Sequence, residues 1–279
     1  MSTENLKSER HFFLEENRKT IYCVEYLPAE DHDKHSAVIL CKPIWGERMR
    51  THIIFTNLAR LLASEGFTVI TCDYFGDGNS GGDTLDLTFT GMVDDINVLY
   101  HYISKKYQPR SFALIGLRVG ANCAISVHND VELLSKIILI EPILSLIDFL
   151  KIALRSNLTN QLVVYKKIVK NRDKLIQEII NGTPVSFDGF LVGKQLWESF
   201  EFTSPLQVNS NFKGLVNILS MADKGKKGSD FSNLAGSFSN GKYETIEKEF
   251  SWSDNRYYVP TPPILFNKIM NELTSELNI

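Results

Sequence analysis

The sequence predicts an α/β fold: a mostly parallel central sheet with helices on both faces and a small helical cap insertion. Three observations carry this. Four short, continuous apolar runs (Ala37–Cys41, Phe67–Cys72, Ser111–Ile115 and Ile137–Ile140) have the length and composition of strands buried on both faces. Between them, apolar residues recur at helical spacing, and strand–helix–strand connections of this kind are right-handed crossovers that build a parallel sheet. The alternation stops after Pro142 and resumes at Gly214, which marks an insertion.

In chain order, His11–Leu27 reads as two short strands, with Thr20–Tyr26 alternating and rich in β-branched and aromatic residues. Ala37–Cys41 ends at Lys42-Pro43. His52–Ser64 carries Ile54, Leu58, Leu61 and Leu62 at helical spacing, and Gly66 stops that helix. Phe67–Cys72 follows and ends at Asp73. A helix lies within Asp83–Tyr107 (Met92, Ile96, Leu99, Ile103), and the strand Ser111–Ile115 leads into a helix over Gly120–His128. Ile137–Ile140 is closed by Glu141-Pro142. From Ile143 to Pro205 the pattern is mostly helical, with a loop at Asn181–Pro184. Gly214–Ser220 restores a strand, a Gly- and Lys-rich loop runs over Met221–Ser229, and Phe231–Phe238 is helix-like. Tyr243–Phe250 is the last strand and Pro263–Leu277 the last helix. The organisation is therefore residues 1–142 as the first part of the core, 143–205 as the cap and 206–279 as the second part.

Composition excludes several classes. With 43% hydrophobic and 23% charged residues and a net charge of −3, the chain is an ordinary globular protein without the basic excess of a nucleic-acid binder. The polar stretch Met1–Lys19 lacks an apolar signal core, and no apolar run is long enough to span a membrane. Cys23, Cys41, Cys72 and Cys123 are scattered, with neither metal-ligand nor disulfide spacing, as expected in a reducing cytoplasm. The expectation is a soluble, cytoplasmic protein with no cofactor or metal; monomer and homodimer are both open.

Gly116-Leu117-Arg118-Val119-Gly120 lies between a buried strand and a helix, the context of a nucleophile elbow. The glycines permit a sharp turn and close helix packing, so the side chain between them points over the sheet edge. The N–H of Val119, at the helix N-terminus, would face an oxyanion. The alternative is a tight turn of another doubly wound fold.

Residues 37–82 carry further motifs: Cys41-Lys42-Pro43-Ile44-Trp45-Gly46-Glu47-Arg48, then Leu58-Ala59-Arg60-Leu61-Leu62-Ala63 with Gly66-Phe67, then Asp73-Tyr74-Phe75-Gly76-Asp77-Gly78-Asn79-Ser80. Together these resemble the serine-aminopeptidase-like branch of the α/β-hydrolases, most closely the hydrolases associated with exosortase systems, which are similar even in a G-L-R-x-G elbow. The resemblance implies an α/β-hydrolase fold and an oxyanion loop at Lys42, Ile44 and Trp45, with Lys42 where the family usually has histidine. It also implies acyl or ester chemistry near surface-polysaccharide or secondary-metabolite pathways.

A Ser-His-Asp triad needs three positions filled. The nucleophile position holds Arg118, a guanidinium that stays protonated and has no lone pair to attack a carbonyl. The six histidines (His11, His32, His35, His52, His101 and His128) all precede the cap, so the base position after the last strand reads Phe250-Ser251-Trp252-Ser253-Asp254-Asn255. Asp254 is at most a weak base there. Asp223 occupies the acid position but sits among lysines, as a solvated loop residue would. Ser80 and Cys41 are replacement nucleophiles, each with a structural reading: a turn brace and a buried, inert thiol.

Two functions follow. One is a degenerate-triad protein binding an acyl or anionic small molecule, with Arg118 holding the anion or paired with a carboxylate such as Glu47. The other is a hydrolase or acyltransferase acting on an ester, thioester or amide through a non-standard site. Ile147, Leu150, Leu154, Ile176, Ile179, Ile180, Trp197 and Phe200 fit either an acyl pocket or a plain core face, and Lys166, Lys167, Lys170 and Lys174 form a basic face.

Overall fold

The computed structural model describes residues 6–127, 131–203, 212–253 and 260–275. Leu6–Glu16 (β1) and Lys19–Pro28 (β2) form an antiparallel hairpin, turned at Asn17 and Arg18, both with positive φ. Ser36–Cys41 (β3), Trp45–Ser64 (α1), Phe67–Cys72 (β4), Phe89–Tyr107 (α2), Ser111–Leu117 (β5), Val119–Val127 (α3) and Leu134–Ile140 (β6) then alternate as the apolar runs predict. After the insertion come Leu215–Ala222 (β9), Ser232–Gly236 (α7), Gly241–Glu247 (β10) and Pro263–Thr274 (α8). The sheet order is β1-β2-β4-β3-β5-β6-β9-β10, parallel from β4 to β10 with β2 antiparallel to β4.

β3, β4, β5 and β6 are almost wholly buried because helices cover both faces, so their side chains need no polar alternation. One face packs against α2, α3 and the inserted segment, the other against α1 and α8. Among the described residues no helix is long and apolar enough to cross a membrane.

The inserted segment is mostly helical, as its pattern predicts, but also contains strands. Leu146–Tyr165 (α4), Arg172–Ile180 (α5) and Lys194–Phe202 (α6) are helical, but Val185–Phe187 (β7) and Phe190–Val192 (β8) form a small hairpin. Its two-residue turn is Asp188-Gly189, both with positive φ, the backbone that matches strand twist. Other elements differ at their ends. α1 begins at Trp45 rather than His52, the helix after β9 shrinks to α7, and β10 stops at Glu247.

Two details fix the sheet's carboxyl rim. A Cβ on Gly120 would stand 2.1 Å from the Cys41 carbonyl oxygen and 2.5 Å from that of Lys42, so only glycine lets α3 press against the end of β3. At the opposite end of β6, buried Lys136 donates to the carbonyls of Glu272 and Leu273 (both 2.8 Å) and of Ser275, closing the C-terminus of α8. Lys136→Met, which leaves those carbonyls without their partner, lowers the unfolding free energy by about 2 kcal/mol in urea titrations. Gly120→Ala lowers it by about 3 kcal/mol through overpacking, measured the same way.

Candidate functional site

Arg118 is the residue between β5 and α3, at φ +56°. Its N–H donates to the Ile140 carbonyl (2.9 Å), and its own carbonyl accepts from Ala121 (2.9 Å) and Asn122 (3.3 Å), which pins the turn at the sheet's carboxyl edge. Gly116 is as constrained as Gly120, because a Cβ there would lie 2.5 Å from the Gly120 oxygen. The backbone thus has the strained strand-to-helix form of an elbow.

The Arg118 side chain is held on four sides. Nε donates to Glu47 Oε1 at 3.2 Å and Nη1 to the Glu141 carbonyl at 3.3 Å. The guanidinium carbon lies 5.0 Å from the Trp252 ring centre and 5.9 Å from that of Phe149, within cation–π range. The ion pair is largely shielded, with the arginine side chain 18% and the glutamate 15% exposed. Burial raises the Glu47 carboxyl above its ordinary value even against the opposing pull of Arg118, and its Oε2 has no hydrogen-bond partner among the described residues.

Two adjoining cavities open beside this pair. One, of about 460 Å³, is lined by Arg118, Glu47, Phe149, Phe231, Trp252 and Ser229, among others. The other, of about 260 Å³, is lined by Ile44, Trp45, Arg50, Phe187 and Phe190, and it shares Glu47, Phe149 and Trp252 with the first. Trp45 meets the hairpin edge-on at Phe187 and stacked at Phe190, both with ring centres 6.0 Å apart, so the inserted segment packs over the rim. On α4 the cavity face is Phe149, Ile152 and Ala153, whereas Leu150 and Leu154, with Ile179, Trp197 and Phe200, are buried in the core.

Ile44, Trp45, Glu47 and Arg118 therefore converge. Val119 is buried at the first position of α3. Lys42 is committed elsewhere, its Nζ donating to Asp73 Oδ1 at 2.5 Å. Burial raises Asp73, but Lys42, the Asn79 N–H and Arg48 outweigh it and hold the carboxyl below its usual range. Arg48 also chelates Asp77 through Nε (2.9 Å) and Nη2 (3.4 Å). Ser80 donates to the Asp73 carbonyl (2.5 Å) and accepts from the Tyr22 N–H (2.9 Å), the geometry of a brace. Cys41 is fully buried, and desolvation pushes its thiol well above the ordinary value.

Asp223 is a half-exposed loop residue paired with Lys226 at 3.0 Å. Asp254 and His128 lie outside the described residues. The other histidines sit away from both cavities: His11 beside Tyr22 and Glu9, His32 beside Asp31, His35 beside Asp33, His52 on the Met49 carbonyl and His101 against Tyr100. Among the described residues no cluster of metal-ligating side chains occurs.

Three residues of the rim were not singled out by the sequence. Trp252 follows the last strand, where its aromatic side chain in a polar loop was the available signal. Phe149 is a large apolar residue one position off the buried stripe of α4. Glu141, at φ +45°, is buried after β6, its carboxylate accepting from the Met221 N–H (2.6 Å) and the Ser229 hydroxyl (3.2 Å). Burial raises Glu141 above its ordinary value beyond what those bonds offset.

Comparison with solved structures gives the same architecture at low identity. A Butyrivibrio proteoclasticus protein, Est1E, solved with ferulic acid, superposes with a TM-score of 0.67 at 13% identity, covering 95% of this chain and 100% of that one. An esterase from Pyrococcus furiosus gives 0.62 at 13% identity, covering 95% and 90%. A lid-less serine hydrolase from Xanthomonas campestris gives 0.56 at 13% identity, covering 96% and 94%. No curated protein sequence matches the chain. Residues 30–180, more than half of the chain, match the serine aminopeptidase, S33 family, and the chain belongs to that α/β-hydrolase family.

Proposed function

We propose that this protein binds an acyl or anionic small molecule beside Arg118 and that its triad is degenerate, with the segment 143–205 serving as the cap over the ligand. The observation that carries this reading is a guanidinium at the elbow apex, lining an apolar-walled cavity of about 460 Å³. Two of its five N–H groups are committed to protein partners, which leaves donors for a carboxylate, sulfate or carbonyl oxygen. Ile143, Leu144, Phe149, Ile152 and Phe231 supply an apolar wall for the body of the ligand. An acid with an apolar body is the kind of ligand the structure of the Butyrivibrio protein contains.

An arginine at this apex cannot form an acyl-enzyme, and the sequence after the last strand contains no histidine to serve as a base. The G-L-R-x-G elbow is similar to that of the exosortase-associated branch, which supports treating the arginine as a kept feature of the site. Four buried, unpaired thiols fit a cytoplasmic protein.

Titration calorimetry with octyl sulfate, whose charge is constant with pH, tests the reading. Wild type binds, and Arg118→Ala binds about tenfold or more weakly, as loss of a charge-assisted contact requires. Unchanged affinity in Arg118→Ala overturns it. The sign with pH follows from Glu47: its carboxyl titrates above the ordinary value, and its ionised form repels a second anion at Arg118. Affinity therefore falls as pH rises through the Glu47 transition, with proton uptake on binding, and Glu47→Gln removes that dependence.

A further inference from the structure

The far end of α4 breaks the rule that helix surfaces facing water are polar. Leu162, Val163, Val164 and Tyr165 form its last turn and are 47%, 63%, 67% and 60% exposed. Four consecutive residues exceed one helical turn of 3.6, so this end is apolar all round rather than along one buried stripe. Ile168 and Val169 in the following loop are about half exposed as well. The same helix keeps Leu150 and Leu154 fully buried near its start, so its apolar residues change role along its length.

The exposed tip is built. Gln161, itself buried, accepts from the Val169 and Lys170 N–H groups (both 2.8 Å) and donates to the Lys170 carbonyl (3.0 Å) and to Asn157 Oδ1 (2.8 Å). One side chain thus folds the loop back on the helix and fixes six apolar residues outward. Basic groups ring them: exposed Lys166, Lys167, Arg172 and Lys174, and half-buried Lys170 paired with Glu178 at 2.8 Å, with Asp173 the one acidic residue between Leu162 and Lys174.

From this exposed apolar tip with a cationic collar we infer that the end of α4 docks onto an anionic lipid surface. A protrusion that is apolar on every side suits insertion among acyl chains, and the collar lies at the depth of the headgroups. The mouth of the site lies on the same helix: Ile152 precedes Leu162 by ten residues, roughly 15 Å at the helical rise. Docking does not depend on what occupies the cavity beside Arg118.

Flotation with vesicles of phosphatidylcholine alone, or with phosphatidylglycerol added, tests the assignment using the full chain. Wild type binds the anionic vesicles, binds neutral ones weakly and is released by salt. Lys166→Glu/Lys167→Glu weakens binding about thirtyfold or more, from the reversal of two surface charges. Val163→Ser/Val164→Ser weakens it about tenfold or more through lost apolar insertion. Both pairs are exposed, so circular dichroism melting temperatures stay near that of wild type. No binding to anionic vesicles, or binding indifferent to both double variants, overturns the proposal. So does a solution dimer in sedimentation velocity that Val163→Ser/Val164→Ser disperses, because the tip then belongs to a second copy.

Discussion

The site is organised around one charge: the Arg118 guanidinium, raised on the elbow between β5 and α3. Elbow geometry aims whatever side chain it carries at the sheet's carboxyl rim, and a cation brought there must be compensated. Glu47 supplies the counter-charge from the first turn of α1, the Glu141 carbonyl takes a second N–H, and Trp252 and Phe149 cover the guanidinium. The early start of α1, with Trp45 at φ +55°, belongs to the same arrangement, because it brings Glu47 into reach. Neither partner is free of cost: burial holds Glu47 above its ordinary titration range, and one of its oxygens lacks a partner among the described residues.

The loops around this pair are tied down by a second set of charges. Lys42 and Arg48 reach Asp73 and Asp77, while Asn79 and Ser80 close the turn after β4 and link it to β2. Those residues hold in shape the rim on which Arg118 stands. The inserted segment completes the enclosure through Trp45, Phe187 and Phe190.

The strands of the core were legible because burial on both faces writes them as continuous apolar runs, and the elbow was legible because its glycines are required by contacts of 2.1 to 2.5 Å. The β7–β8 hairpin was missed: three-residue strands are too short to show alternation inside a helical background, and only Asp188-Gly189 announced the turn. The start of α1 was missed because Pro43 and Gly46 suggest a loop. Glu47 was legible as a partner for Arg118 by its place in the oxyanion loop. Trp252 and Glu141 come from distant stretches that only the folded sheet brings to Arg118. Lys136 lies just outside the apolar run Ile137–Ile140, and its role as a cap for α8 depends on a contact 136 residues away.

The proposed binding role requires that the cation at the elbow apex, Arg118, replace a hydrolytic nucleophile. Labelling of the purified wild-type protein with a fluorophosphonate probe, alongside turnover of a panel of p-nitrophenyl esters, addresses this most directly. The account predicts no labelled residue and no turnover above the uncatalysed rate. Stoichiometric labelling, or turnover abolished by changing Ser80 or Cys41, would contradict it.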